Sequence, residues 1–143
     1  VVDLATGSGL CAIAALLAGA RDVLAIDIDP WAREAVALNA AANRVHVPFR
    51  GEDPLDGDPP DADIVLAGDI GYEWALAERG VAWLRRAAER GIAVLVGDPE
   101  RHHLPHAGLV AVASYEVPTT FDLEQAASKH TTVYRASGLT TDS

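Results

Sequence analysis

The chain has 143 residues, half of them hydrophobic, which is enough for one domain with its own core. Its net charge of −10 disfavours nucleic acid as a partner and suits either a basic protein partner or solubility alone. No apolar run reaches the roughly 18 residues of a membrane span. The single cysteine, Cys11, excludes an internal disulfide, so we expect a cytoplasmic location.

The first stretch of the chain predicts a strand, a tight turn and a helix. Two valines and Asp3 run directly into a turn that contains Gly7 and Gly9. Glycines let the backbone bend sharply and approach a ligand closely, and the N–H groups that open the next helix would face that ligand. About twenty residues later a second apolar run ends in Asp27. This combination is typical of sites for nucleoside-bearing cofactors.

Apolar runs alternate with helical stretches at short spacing, which predicts an α/β fold with a mainly parallel sheet. No long helix separates the last two runs, so we expect them to form an antiparallel pair. One domain over residues 1–136 and a disordered tail over 137–143 are predicted. The predicted strands are residues 1–4, 22–27, 45–49, 63–67, 92–96, 109–117 and 131–135, and the predicted helices are residues 10–19, 31–42 and 74–89.

Carboxylates lie at the ends of four predicted strands. Asp3 and Asp27 belong to the first two strands, Asp53 follows the third and Asp69 follows the fourth. Parallel strands end at one edge of a sheet, where such folds bind ligands. The glycine pattern is compatible with a dinucleotide or a methyl donor, but a dehydrogenase usually has an apolar residue at the position of Asp3. The pattern therefore favours a methyl-donor site.

Residues 3–9 resemble the first motif of class I S-adenosylmethionine-dependent methyltransferases, and the C-terminal strand pair resembles their seventh strand inserted beside the sixth. More narrowly, the chain resembles the electron-transfer-flavoprotein β-subunit lysine methyltransferase family and its bacterial relatives, over nearly its whole length. This resemblance implies a Rossmann-like seven-stranded sheet and methyl transfer from S-adenosylmethionine to a lysine amine of a protein, without a metal. The segments that carry the narrower likeness are residues 27–30, 38–40, 67–73, 97–99, 115–118 and 131–135.

The resemblance implies a role for each residue of the first motif. Gly7 and Gly9 would let the backbone approach the methyl donor, and Asp3 would lie near its amino-acid moiety. Ala5 occupies the position of the motif's first glycine and would also contact the cofactor.

The remaining implied roles lie beyond the first motif. Asp27 would accept hydrogen bonds from the two ribose hydroxyls, Ile28 would lie against the adenine, and Asp53 would bind the exocyclic amine. Asp69 would contact the cofactor and orient the incoming amine, and Tyr72 would shape the acceptor channel. Asp69 and Tyr72 are therefore the predicted catalytic residues.

Two other functions stay open. One is an NAD-dependent oxidoreductase of the Rossmann type, which Asp3 and the antiparallel strand pair disfavour. The other is a non-catalytic cofactor-binding remnant. Three features favour it: Ala5 in place of glycine, Gly71 in place of a bulky residue, and a start without the family's N-terminal segment, which we expect to be missing. The residues determine neither the acceptor nor the oligomeric state.

Several candidate residues also have purely structural interpretations. Asp3 is also compatible with capping of the turn, although the glycines beside it favour the cofactor role. Asp29 is predicted as a helix N-cap, and Asp69 is compatible with a simple turn. Cys11 is expected to be a small core residue. The histidines His102, His103 and His106 are expected in a surface loop rather than a metal site, and Trp31, Trp74 and Trp83 are expected to pack inside the protein.

Overall fold

The computed structural model describes residues 1–119 and 127–137, apart from the side chain of Tyr72. The strands in these residues are β1 (Val2–Leu4), β2 (Leu24–Ile26), β3 (Phe49–Arg50), β4 (Ile64–Gly68), β5 (Ala93–Asp98), β6 (Leu109–Pro118) and β7 (Ser128–Ala136). The helices are α1 (Leu10–Leu17), α2 (Pro30–Ala42) and α3 (Trp74–Glu89), and a short 3₁₀ turn (Ile70–Tyr72) precedes α3.

The strands form one sheet in the order β3-β2-β1-β4-β5-β7-β6. The five strands from β3 to β5 run parallel, and β7 pairs antiparallel with both β5 and β6. The first strand of the chain is central, with β2 on one side and β4 on the other. The predicted α/β class, the parallel sheet and the insertion of the seventh strand beside the sixth are confirmed.

Some predicted boundaries were wrong. The third strand, predicted over 45–49, is only Phe49–Arg50, because Pro48 has no N–H to donate to a ladder. Conversely, β5 continues past its predicted end at residue 96, because Gly97 and Asp98 pair with β7. Of the predicted tail, Ser137 donates its backbone N–H to the Gly108 carbonyl at 3.0 Å, and 138–143 lie outside the described residues.

The core has two layers, one on each face of the sheet. Ala25 and Ile26 belong to different buried clusters, because successive residues of a strand point to opposite faces. The cluster on one face contains Trp83 and Leu84 of α3, both fully buried. The cluster on the other face contains residues of α1 and α2, including Val36.

The three tryptophans do not share one environment. Trp83 is fully buried, as expected, but Trp31 is 79% exposed and Trp74 is 60% exposed. The packing prediction was therefore wrong for two of them, which lie at the first turns of α2 and α3. Of the helices described, none combines the length and the apolar character that a membrane crossing requires.

Ala5 provides a test of backbone strain, because it adopts a left-handed conformation with φ of 52°. This conformation costs an L-residue about 1–2 kcal/mol, whereas glycine adopts it freely. We expect Ala5→Gly to raise the free energy of unfolding by about 0.5 kcal/mol, after the greater entropy of unfolded glycine is subtracted. The matched control is Ala14→Gly in exposed α1, which we expect to lose about 1 kcal/mol. If urea denaturation showed that both variants lose the same free energy of unfolding, the strain at Ala5 would be contradicted.

Candidate functional site

A cavity of about 490 Å³ lies at the carboxyl edge of the parallel strands. Its walls come from the turn after β1, the end of β2, the loop after β3, the turn after β4 and the first half of α3. The sheet therefore brings together carboxylates that are far apart in the sequence. Six of the predicted site residues line this cavity: Ala5, Gly7, Asp27, Ile28, Asp53 and Asp69.

The Asp27 carboxylate connects the turn after β1 to the end of β2. Its Oδ2 accepts the Gly7 N–H at 2.8 Å, and its Oδ1 accepts the Asp29 N–H at 2.9 Å. These bonds orient the carboxylate at the cavity wall. Each oxygen keeps a lone pair, so the pair of oxygens can accept two further hydroxyl groups.

Asp29 lines the cavity beside Asp27, but its carboxylate has a structural role. It accepts the Trp31 N–H at 2.9 Å and caps α2, whose first residue is Pro30. The predicted N-cap is confirmed.

Asp3 is buried beneath the turn, with only 1% of its surface exposed. Its Oδ2 accepts the Thr6 hydroxyl at 2.5 Å and the Ala12 N–H at 2.9 Å, so it joins the turn to the start of α1. Burial raises the pKa of this carboxyl to about 6, against the hydrogen bonds from Thr6 and Ala12. The structure thus shows the turn-capping role, and a contact with a donor amino group stays a prediction.

Gly9 supports the site from behind. It has φ of 82°, and a Cβ added there would lie 3.0 Å from Cγ2 of Val36 in α2. The close approach that Gly9 permits is therefore between α1 and α2. Asn39 reinforces the same contact by donating from Nδ2 to the Ser8 carbonyl at 2.8 Å, a role that the sequence analysis missed.

Asp53 carries two hydrogen bonds at the cavity rim. Its Oδ1 accepts the Leu55 N–H and its Oδ2 accepts Nη2 of Arg79, both at 3.0 Å. The Leu55 N–H chiefly, and Arg79 in addition, lower the pKa of Asp53. Arg79 also binds Asp56 at 2.8 Å. Pattern analysis missed Arg79 because an arginine on a helix surface is usually solvated.

Arginines of α3 hold the loop that closes the cavity. Besides Arg79, Arg86 donates from Nη2 to the carbonyls of Leu55 and Gly57, each at 3.0 Å. At the C-cap position just after α3, Arg90 donates to the Pro59 carbonyl and pairs with the exposed Asp61. Guanidinium groups thus replace secondary structure in ordering this loop. The available sequence signal was the combination of arginines along α3 with an aspartate-rich loop.

Asp69 has an unusual backbone and a strong partner. It adopts the left-handed region with φ of 51°, and its N–H donates to the Gly97 carbonyl at 2.8 Å. Arg101 binds both carboxylate oxygens, with Nε to Oδ1 at 2.8 Å and Nη2 to Oδ2 at 2.7 Å. Arg101 was also missed by the sequence analysis. The predicted role of Tyr72 rests on a side chain that lies outside the described part of the structure.

The three clustered histidines are exposed. The His103 ring contacts Trp74 edge-on at 6.2 Å between centroids, and the His106 ring lies 5.2 Å from that of Tyr134. Over residues 1–119 and 127–137, no three His, Cys, Asp or Glu side chains are grouped as metal ligands would be.

Known proteins resemble this chain in sequence. The family model described as ribosomal protein L11 methyltransferase (PrmA) matches residues 1–70, which hold most of the cavity wall. The electron transfer flavoprotein β subunit lysine methyltransferase of Xenopus laevis is 41% identical over 103 residues, covering 71% of this chain and 42% of the relative. The ribosomal protein L11 methyltransferase of Pelobacter propionicus is 38% identical over 113 residues, covering 76% and 35%.

The fold is shared with solved methyltransferases. The crystal structure of magnesium protoporphyrin IX methyltransferase from Synechocystis, with bound S-adenosylmethionine, superposes with a TM-score of 0.60 at 19% identity. It matches 94% of this chain and 69% of that one. The chain is related in sequence to these protein methyltransferases and shares the fold of S-adenosylmethionine-dependent methyltransferases. The predicted resemblance is confirmed, and the comparisons give the oxidoreductase alternative no support.

The chain spans about half the length of the curated relatives it matches. It nevertheless holds all the predicted cofactor residues in one region. Ala5, Gly7, Asp27, Ile28, Asp53 and Asp69 form the wall, while Asp3 and Gly9 support it.

The arginines of α3 provide a stability test. We expect Arg86→Ala to lower the free energy of unfolding by about 1 kcal/mol, because the partly buried Leu55 carbonyl and the exposed Gly57 carbonyl lose their donor. Arg21→Ala is the control, since its pairing with Asp22 is almost fully exposed and exposed pairs contribute little. Urea denaturation measures both variants. A loss at Arg86 no larger than at Arg21 would show that the loop does not depend on it.

Asp3 provides a test of pH dependence. Its folded pKa of about 6 exceeds the reference value of 3.8, so the folded chain binds more protons between these values. Its contribution to stability therefore falls as pH rises from about 4 to 6. Asp3→Asn keeps an acceptor oxygen without the charge, and we expect it to be about 1–2 kcal/mol more stable than the original chain at pH 7.

The gain from Asp3→Asn should largely disappear near pH 4, where the folded carboxyl is protonated and the unfolded one is close to half protonated. Denaturation at several pH values between 4 and 7 measures this trend, with the exposed Asp22→Asn as control. A gain that does not change with pH would contradict the raised pKa.

Proposed function

We propose that this chain forms the cofactor-binding and catalytic core of an S-adenosylmethionine-dependent protein-lysine methyltransferase. One observation carries the proposal: the Asp27 carboxylate, oriented by Gly7, and the Asp69 carboxylate line the same cavity. The first is suited to a ribose and the second to an amine, so one cavity holds the groups needed for a nucleoside donor and an amine acceptor. The named relatives, which are protein methyltransferases, support the same function.

The residues present fit the cofactor. A Cβ built at Gly7 would meet no atom within 4 Å, so the turn leaves open space for a ligand beside the backbone. Asp27 would hold the ribose hydroxyls, and the 66% exposed Ile28 offers an apolar surface for the adenine. Asp53 would accept a hydrogen bond from the exocyclic amine of the adenine, because Leu55 and Arg79 leave some of its lone pairs free.

The reaction requires alignment more than acid–base chemistry. S-adenosylmethionine supplies an electrophilic methyl group when bound, and the attacking lysine must be neutral. Asp69 would accept a hydrogen bond from an N–H of that amine, which would point the nitrogen lone pair at the methyl group. The cavity walls would exclude water. Such positioning is a large source of rate enhancement in displacement reactions.

The acceptor belongs to the same proposal. The relatives are named for electron transfer flavoprotein β subunit and ribosomal protein L11, so we propose a lysine on a protein of this kind. Charge supports a basic partner surface, because the chain carries −10 and Asp27, Asp29, Glu52 and Asp53 surround the cavity. A cytoplasmic location, without nucleic-acid or membrane partners, is part of the proposal.

Calorimetric titration with S-adenosylmethionine, S-adenosylhomocysteine and NAD tests the cofactor. We expect S-adenosylmethionine and S-adenosylhomocysteine both to bind. Asp27→Ala should weaken the affinity for both at least tenfold, because the ribose hydroxyls lose charged acceptors. Asp27→Asn, which keeps one acceptor oxygen, should be intermediate.

Asp22→Ala is the matched control, because it also removes one carboxylate but from an exposed position outside the cavity. It should bind both ligands like the original chain. Binding of NAD alone would contradict the methyltransferase proposal. Transfer of labelled methyl to recombinant L11 or electron transfer flavoprotein β subunit then identifies the acceptor.

A further inference from the structure

Arg101 forms a bidentate ion pair with Asp69, which lines the cavity. Its planar guanidinium binds both oxygens of Asp69, at 2.8 and 2.7 Å, in the bidentate arrangement that is strongest for arginine and a carboxylate. Both side chains are partly buried, with exposures of 29% for Arg101 and 44% for Asp69. Asp69 lines the cavity and Arg101 binds it from the loop after β5, so solvent screens this pair less than a fully exposed one.

Several backbone features build this pair into the fold. The Asp69 N–H is held by the Gly97 carbonyl, and the Arg101 N–H donates at 3.0 Å to Asp98, whose side chain is buried. The turn after β4 and the loop after β5 are thus joined through neighbouring strand ends. The left-handed backbone at Asp69 sets the direction in which its carboxylate leaves the turn.

Gly71 is the residue that lets the two segments meet. A Cβ at this position would lie 2.9 Å from Cβ of Arg101 and 3.2 Å from Cβ of the buried Leu104. Any larger residue would push the loop away from the turn. Glycine in place of a bulky residue at position 71 therefore allows Arg101 to come close enough to bind Asp69.

The pairing changes what Asp69 can do to a lysine. A lone carboxylate attracts the ammonium form, whose nitrogen has no lone pair and cannot accept a methyl group. Lysine has a reference pKa of about 10.4, so the ammonium already predominates at neutral pH. A carboxylate whose charge is compensated still has lone pairs for an N–H, but it no longer favours the cation.

We propose that Arg101 is a positioning residue of the acceptor site, which holds both oxygens of Asp69 and cancels its charge so that the site accepts a neutral amine. This inference rests on the proposed function. In the step it serves, the amine lone pair forms the bond to the methyl carbon as the carbon–sulfur bond breaks. The electron pair of that bond stays on sulfur, and the methylated ammonium later releases a proton to solvent.

The other charges of the cavity do not duplicate this role. Among the described residues that line the cavity, Arg79 is the one cation, and it binds Asp53 and Asp56. The remaining charged side chains that line the described cavity are Asp27, Asp29 and Glu52, which are all acidic. Loss of Arg101 would therefore leave Asp69 as an additional uncompensated negative charge beside the acceptor.

Two cofactor analogues test the inference without an acceptor protein. S-adenosylhomocysteine has no group at the position of the transferred methyl, whereas sinefungin carries an amine there. We expect Arg101→Gln to bind S-adenosylhomocysteine like the original chain but sinefungin about tenfold more tightly, because its ammonium meets an uncompensated carboxylate. Arg101→Lys keeps the charge and should resemble the original chain.

The double variant Asp69→Asn/Arg101→Gln should lose the gain, because Arg101 acts through Asp69. A purely structural role for Arg101 would instead weaken both analogues together. Unchanged or weaker sinefungin binding by Arg101→Gln would overturn the inference. Failure of the original chain to bind S-adenosylhomocysteine would contradict the proposed function itself, so the two failures are distinct.

Gly71→Ala provides a second route if Arg101→Gln does not fold. It displaces Arg101 without removing a charge, and we expect it also to favour sinefungin. Gly57→Ala is its control, since a Cβ there makes only an ordinary contact of 3.6 Å. With L11 or electron transfer flavoprotein β subunit as acceptor, Arg101→Gln should lower both the KM for the acceptor and kcat.

Discussion

The cavity depends on the buried carboxylate of Asp3. By accepting the Thr6 hydroxyl and the Ala12 N–H, it fixes the turn between β1 and α1. Only with that turn in place can the Gly7 N–H reach Asp27 across the gap between β1 and β2. The raised pKa of Asp3 shows that burying this charge is unfavourable in itself. A destabilising group at the centre of the fold is thus what sets the geometry of the proposed cofactor site.

Arginine side chains order the loops around the cavity. The loop after β3 has no regular secondary structure, and the guanidinium groups of Arg79 and Arg86 in α3 and of Arg90 just after it bind the loop's carbonyls and carboxylates. Arg101 does the same for the turn after β4. At the edge where the carboxylates converge, Arg79 and Arg101 bind Asp53 and Asp69. There they order the loops and, in our proposal, decide which protonation state of the acceptor the site favours.

The two departures from the family motif now have physical descriptions. Ala5 adopts a left-handed conformation that glycine would adopt without strain, so the departure affects backbone energy. Gly71 gives the loop after β5 room to pack on the turn after β4. Neither change fills the cavity, and both are compatible with a functional site.

Sequence patterns alone predicted the element types, the mainly parallel sheet and six of the residues that line the cavity. Those features follow from local patterns: apolar runs, helix caps such as Asp29, and acids at strand ends whose common edge is dictated by parallel pairing. Two features are visible only in the folded chain. Asp3 and Gly9 contact α1 and α2 beneath the cavity wall. Arg79 and Arg101 bind the carboxylates of Asp53 and Asp69. Long flexible side chains carry no periodic signal, and their partners lie 26 and 32 positions away in the chain, so only the packed fold brings them together.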